Sequence, residues 1–195
     1  MIYDFSQYSP EWWKIREQRL TGSHAQAIGV NGKGLKTYTR KIMSEYYSSA
    51  QIETYSNDDM RRGLEREDKA ASEYSIEHMT VLKKVGFVTR GDHVGVSPDR
   101  LADENGLVEI KCPKDSTYLD LLLDKKIDTK YIWQMQMQLL ICEKDWCDYV
   151  VYNPNFETRL FVQRIEPDAK KFKALEEGIE SGIKMIKDIE ERMAL

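Results

Sequence analysis

The chain has 195 residues, 29 of them basic and 33 acidic, for a formal net charge of −4. At about 100–200 residues per domain, this is enough to bury a core without disulfides or a structural metal. A hydrophobic content of 41%, with 11 Gly and 5 Pro, excludes a disordered or fibrous chain, and the acidic total excludes a uniformly basic coat.

The cysteines are Cys112, Cys142 and Cys147, an odd number. No basic-then-apolar leader opens the sequence, and no apolar run approaches the roughly 20 residues that span a bilayer. The expectation is a cytoplasmic protein with reduced thiols and no membrane contact. Cys142 and Cys147 have no second Cys/His pair at zinc spacing, so they read as structural.

In chain order, Pro10 and Glu11 open a helix expected to run to about Arg19. Thr21-Gly22-Ser23 offers a hydroxyl cap to a short second helix, residues 24–28, stopped by Gly29. Residues 32–34 read as a loop, with Thr37 or Thr39 capping a helix to about Ala50. Residues 55–59 form a polar linker ending in a cap. From Met60 to His78, Gly63, Glu67, Ala70, Ala71 and Tyr74 recur at helical spacing, on a face shallow enough to meet a sheet closely.

Residues 81–88, 93–96, 107–111, 146–152 and 159–163 read as strands. Residues 131–141 are ambiguous: Gln134, Gln136 and Gln138 alternate with Met135 and Met137, yet length and composition favour a helix. The tail, 167–193, reads as a long helix with Phe172, Leu175, Ile179, Ile183, Ile186 and Ile189 or Met193 on one stripe. Packing on the chain's own core is its economical use, although a subunit contact would also suit it.

The expected whole is one α/β domain over 1–195, a central mixed β-sheet flanked by helices. N-terminal helices at about 10–50, a core at about 58–165 and a final helix at about 166–193 compose it.

Chemistry concentrates where Ser97-Pro98-Asp99 precedes Glu109-Ile110-Lys111, with the turn signal Asp103-Glu104-Asn105-Gly106 between them. Residues i and i+2 of a strand share a face, so Glu109 and Lys111 project together. A two-residue turn at Asn105-Gly106 would send Asp99 to the wrong face. A three-residue loop, Glu104 to Gly106, with Gly106 as a left-handed bulge residue, sets Asp99 opposite Lys111 and Leu101 opposite Glu109. The three-residue register is therefore expected.

Two carboxylates and an amine on one face suit Mg²⁺, a hard cation that takes few protein carboxylates. Lys111 can orient a metal-bound water and, with a lowered pKa, accept its proton. Taken alone, the same residues would read as an ordinary surface salt bridge.

Further blocks flank these residues. They are Trp12-x-x-x-Arg16 leading into Leu20-Thr21-Gly22-Ser23, Gly63-x-x-x-Glu67-x-x-Ala70, Tyr131-x-x-Gln134-x-Gln136 and Tyr152-Asn153-Pro154. Asp99 with Glu109-x-Lys111 resembles the PD-(D/E)xK nuclease signature. The whole series, from about residue 11 to 154, is similar to the lambda exonuclease and YqaJ-type viral recombinase family.

That resemblance implies a restriction-endonuclease-like core. It implies a metal site of Asp99, Glu109 and the Ile110 carbonyl, with Glu67 at a second metal or acting through water. Lys111 would serve the nucleophilic water, and Gln134 would position Lys111 or the attacked phosphate. Arg16, Ser23 and Ser97 would hold a terminal 5′-phosphate, which suits the fixed fork of arginine and a helix N-terminus at Ser23.

The implied activity is Mg²⁺-dependent (Mn²⁺ substituting) 5′-to-3′ degradation of double-stranded DNA ends to mononucleotides. A ring-shaped homotrimer, a single-strand annealing partner and phage-type recombination in a bacterial host come with it. The rivals are an endonuclease or host repair nuclease of the same fold, and a catalytically idle DNA-end-binding scaffold.

Charge placement fits DNA. Across residues 1–41, Lys14, Arg16, Arg19, Lys33, Lys36, Arg40 and Lys41 oppose only Asp4, Glu11 and Glu17. Trp12, Trp13 and Tyr38 can stack on bases or pack in the core. Met135 and Met137 read as core. His24, His78 and His93 lack partners at ligand spacing, and His24 adjoins the expected phosphate site.

Overall fold

The structure, a computed structural model, describes residues 1–48 and 58–194. Side chains alternate along a strand, and on β7 (Gly106–Lys111) both faces are covered. Val108 and Ile110, with Val150 and Tyr152, pack against Ala70, Ala71 and Tyr74 of α4 (Asp58–His78). Leu107, with Tyr149 and Val151, packs against Met135 and Leu139 of α6 (Thr129–Cys142) and Tyr118 of α5 (Asp115–Asp124).

This five-stranded sheet runs β3 (Leu82–Lys83), β6 (Arg100–Ala102), β7, β8 (Trp146–Tyr152), β9 (Leu160–Ile165). Only its β7–β8 pairing is parallel.

A four-stranded sheet has the order β1 (Ile2–Tyr3), β4 (Phe87–Thr89), β5 (Val94–Val96), β2 (Leu20–Thr21). Its core joins Leu20, Val88, Val94 and Val96 to α2 (Ala25–Val30), α3 (Lys33–Tyr47) and α7 (Ala169–Met193). Met137 and Ile141 of α6 enter this second core, so α6 lies between the two sheets, with Met135 and Met137 both fully buried. Burial on opposite sides explains why its sequence alternates like a strand. The stripe on α7 serves the chain's own core through Leu175, Ile179 and Ile186.

The α/β class is as expected, but the strands divide between two sheets. The single strand read over 81–88 breaks at Gly86, whose N–H donates to the Tyr3 carbonyl at 2.9 Å. A Cβ there would stand 2.2 Å from the Phe5 carbonyl oxygen, so only glycine lets the chain pass from one sheet to the other. Strands β1 and β2 and helix α5 were not foreseen, whereas β6 is the partner strand that the expected hairpin required.

Helix α1 (Pro10–Arg16) ends earlier than expected, because Gln18 adopts φ 56. Gly29 lies inside α2 rather than stopping it: a Cβ would meet the Trp133 ring at 2.3 Å. The left-handed cap is Asn31.

Neither the 3₁₀ turn Gly22–His24 nor α2 has a side-chain cap, so Thr21 and Ser23 keep their hydroxyls for other partners. Helix α3 starts directly after Gly32, and Thr39 donates to the Leu35 carbonyl inside it. Ala50 and Tyr55 to Asn57 lie outside the described residues.

The hairpin register also differs. Pairs Arg100–Val108, Leu101–Leu107 and Ala102–Gly106 make a three-residue loop of Asp103, Glu104 and Asn105. The left-handed residue is Asp103 (φ 45), tied to Val81 by two backbone-directed bonds of 2.9 Å, and not Gly106. Gly106 is required for closeness, since a Cβ would meet the Trp146 ring at 2.2 Å. Continued one residue, the register sets Asp99 level with Glu109 instead of Lys111. The slip is an even step, so Asp99, Glu109 and Lys111 still share a face.

Candidate active site

The shared face is the one α6 covers, while Arg100, one residue beyond Asp99, turns to the α4 side. Asp99 Oδ2 accepts the Ile110 N–H at 2.6 Å. The N–H and C=O of one strand residue point the same way, so the Ile110 carbonyl also points past the end of β6 toward Asp99.

Glu109, 1% exposed, accepts three side-chain hydrogen bonds. Lys111 Nζ (2.5 Å) and Gln134 Nε2 (2.6 Å) share Oε1, and Gln138 Nε2 (2.7 Å) binds Oε2. Gln134 and Gln138 are four residues apart and so share a helix face. Gln136, on the other side, donates to the Glu166 carbonyl at 2.7 Å and accepts from the Asp168 N–H at 2.8 Å. Lys111 Nζ also lies 5.3 Å from the Tyr131 ring centroid.

Burial and then Glu109 push the Asp99 carboxyl well above its ordinary 3.8. Burial works against the Lys111 ammonium, but Glu109 and Asp99 outweigh it and hold its pKa above the ordinary value. Lys111 is thus a proton donor here, and the lowered pKa that a base role would need is not found.

Burial first, and the Glu109 charge next, disfavour the ionised Asp99, and carboxylate and carbonyl oxygens are hard donors. Asp99, Glu109 and the Ile110 carbonyl therefore fit a divalent cation. Among the described residues, no group of three or more His, Cys, Asp or Glu side chains that could hold a metal ion is found. Glu67 accepts from Arg100 Nη1 at 2.6 Å, and Asp68 from Arg100 Nη2 at 2.6 Å. Arg100 is buried, and it holds Glu67 at the sheet edge close enough for that carboxylate to raise Asp99 further.

Ser97 lies two residues before Asp99, so their Cα atoms are at most about 7 Å apart. Trp12 Nε1 donates to Ser97 Oγ at 2.9 Å, which leaves the hydroxyl proton free to donate elsewhere. Arg16, one helical turn beyond Trp12, stacks 4.1 Å over its ring. Burial lowers the Arg16 pKa, and among the described residues no carboxylate pairs with it.

Ser23 Oγ lies 3.2 Å from His24 Nδ1 and 3.3 Å from Thr21 Oγ1. The His24 ring stacks on Tyr38 at 3.8 Å. Burial, then Lys41 and Arg16, bring the His24 pKa down to about 4. Trp12 thus joins Ser97 to Arg16, two residues from Asp99, while Ser23 and His24 form a second cluster with Thr21 and Tyr38, within electrostatic reach of Arg16.

Four residues at these sites carried no assignment from the sequence: Gln138, Arg100, Tyr131 and Tyr8. The spacing of Gln138 from Gln134 was a usable signal, one helical turn on the same face. Strand alternation after Asp99 could have turned Arg100 away from the metal face. Nothing local marks Tyr131 or Tyr8. His78 stacks on Tyr74 at 4.6 Å, and His93 Nδ1 lies 3.3 Å from the Gln18 carbonyl, so neither joins the site.

Residues 11–145 match the YqaJ-like viral recombinase domain. No curated protein matches the chain in sequence. LHK-Exo in complex with dAMP is 28% identical at a TM-score of 0.85, covering 95% of this chain and 96% of that one. A second LHK-Exo structure, an alkaline exonuclease from Laribacter hongkongensis, is 27% identical with a TM-score of 0.80, covering 95% and 98%. A phage-related exonuclease from Haemophilus somnus 129PT shares the fold at 16% identity and TM-score 0.69, covering 90% and 96%.

Proposed function

The chain belongs to the YqaJ-like viral recombinase family, and from that premise we propose that it is a Mg²⁺-dependent 5′-to-3′ exonuclease of double-stranded DNA ends. It prefers a 5′-phosphate, releases mononucleotides and leaves a 3′ single strand for recombination, with Mn²⁺ able to replace Mg²⁺. One observation carries this reading: Arg16, with no acid paired to it among the described residues, stacks on Trp12, which donates to Ser97 two residues from Asp99 on the face bearing Glu109 and Lys111. The dAMP in the LHK-Exo complex supports a mononucleotide product.

Asp99, Glu109 and the Ile110 carbonyl hold the cation in this reading, with Glu67 at a second metal or behind a water. When bound, the cation supplies Lewis acidity to the phosphate and acidifies the attacking water. Lys111 orients that water by donating to it. Gln134 and Gln138 fix Glu109, and through the shared Oε1 Gln134 also positions Lys111.

Arg16, Ser97 and Ser23 grip the terminal phosphate. Because Ser97 stands two residues from Asp99, that grip decides which phosphodiester meets the carboxylates, and so sets the product at one nucleotide. A homotrimeric ring, a single-strand annealing partner, and phage or prophage origin in bacterial cytoplasm rest on the family. No helix among the described residues is long and apolar enough to cross a membrane.

Linear duplexes with and without a 5′-phosphate, compared with closed circles, test the reading. The native chain should release nucleotides with Mg²⁺ from phosphorylated ends, more slowly from hydroxyl ends, and not from circles. Lys111→Ala should slow release by about 10²–10³-fold, the loss of one positioned donor. Rapid cutting of circles would favour an endonuclease, and equal rates for the two chains would remove Lys111 from the mechanism.

A further inference from the structure

Tyr8 immediately precedes the Ser9 cap of α1 and adopts φ 67, a conformation that costs a side chain as bulky as tyrosine. A residue selected for that backbone shape would be glycine or asparagine. A tyrosine selected for core packing would be buried, whereas Tyr8 is 43% exposed. Its ring instead lies 4.9 Å from the ring of Trp12, the residue that also binds Ser97 and carries Arg16.

Its position is fixed relative to the carboxylates. Gln7, the preceding residue, donates 3.0 Å bonds to the carbonyls of Val85 and Pro98, and Pro98 adjoins Asp99. Tyr8 also lines a cavity of 210 Å³ with Gln7, Glu67, Asp99 and Arg100. Asp99, Glu67, Lys111 and Arg16 all lie within electrostatic reach of its hydroxyl. Tyr8 therefore lines a cavity with Asp99 and Glu67 while its ring packs on Trp12, the residue that contacts Arg16 and Ser97, and the residue stays partly exposed.

We propose that Tyr8 binds substrate, its ring stacking on the base of the 5′-terminal nucleotide while that nucleotide's phosphate is held by Arg16, Ser23 and Ser97. Aromatic stacking is tolerant of base identity, as an enzyme that removes every nucleotide in turn requires. The strained backbone is kept because it holds the ring beside Trp12 at the cavity that Asp99 and Glu67 also line. This inference rests on the exonuclease reading.

Tyr8→Gly and Tyr8→Phe test it in the full chain. The probes are 5′-phosphorylated duplexes carrying 2-aminopurine as the terminal base, with binding followed in EDTA and release followed with Mg²⁺. The native chain and Tyr8→Phe should quench the probe alike and share a KM. Tyr8→Gly, relieved of the strain, should keep or raise Tm, lose the quenching and raise KM for ends about tenfold or more.

Unchanged quenching and KM in Tyr8→Gly would overturn the proposal. So would a lowered Tm with quenching intact, which would make Tyr8 a structural residue. A native chain that releases nothing from phosphorylated ends would instead overturn the exonuclease reading, and this proposal with it.

Discussion

Glu109 is held by donors from two elements, and of the three only Lys111 lies on its own strand. Gln138 is the informative one, because its Oε1 is buried without a partner among the described residues while its Nε2 serves Glu109. An unsatisfied buried acceptor destabilises, so the side chain is kept for what it orients. Gln138→Leu should retain the fold and weaken Mn²⁺ binding by about 10–100-fold in calorimetry. Gln136→Leu should leave Mn²⁺ affinity unchanged and lower stability, because the Asp168 N–H and Glu166 carbonyl lose their partner.

His24 offers a second test at this scale. Its pKa falls from 6.5 to about 4 on folding, so the unfolded chain binds the proton more readily between those values. The stability it contributes is complete above pH 6.5 and is lost as pH falls toward 4. An NMR titration should give a His24 midpoint near 4, and His24→Gln should flatten the pH dependence of Tm in that window. A midpoint above 6 would show that the ring is not buried as described and that Lys41 and Arg16 do not bear on it.

Among the elements, helices α4 and α7 were legible because their periods repeat over 21 and 25 residues, whereas α6 was read as a helix from its length and composition. Strands β1, β2 and β6 have two or three residues each and cannot display a period. Residues 81–88 carried continuous strand-like content, but the division at Gly86 depends on Phe5, far away in the chain. Close approach also governs α7 against α2, where a Cβ on Gly178 would lie 1.9 Å from the Ile28 carbonyl oxygen. Gly178→Ala should therefore destabilise by about 1–3 kcal/mol in urea unfolding, despite alanine's better helix propensity. Unchanged or greater stability would mean that α7 can retreat from α2 at no cost.

At the scale of the whole molecule, the net charge of −4 says less than its placement. Helix α4 holds seven acidic and four basic residues and α7 is balanced at six of each, while the first 41 residues hold seven basic and three acidic side chains. Lys33 and Lys36 were expected in a loop, yet they occupy the first turn of α3 and are exposed. A pair of cations at a helix N-terminus reinforces the dipole's attraction for phosphate. Lys33→Glu with Lys36→Glu should weaken duplex binding and make log K less steep in log salt, by about 0.9 for each phosphate no longer neutralised. Fluorescence anisotropy across a NaCl series measures this, and an unaltered slope would place DNA elsewhere.

The sequence by itself determined which chemistry was on offer: the order of the motifs, the carboxylates and lysine within one hairpin, and the glutamines on one helix. These follow from residue type and local period, which a few neighbouring residues encode. Tertiary structure decided the hairpin register, the partners of Glu67 and Glu109, and the positions of Ser97 and Tyr8. Each depends on side chains meeting across long chain separations, as Trp146 does in closing over Gly106. The shared face of Asp99, Glu109 and Lys111 was nevertheless legible, because a strand slip of two residues preserves the face and changes only the partner.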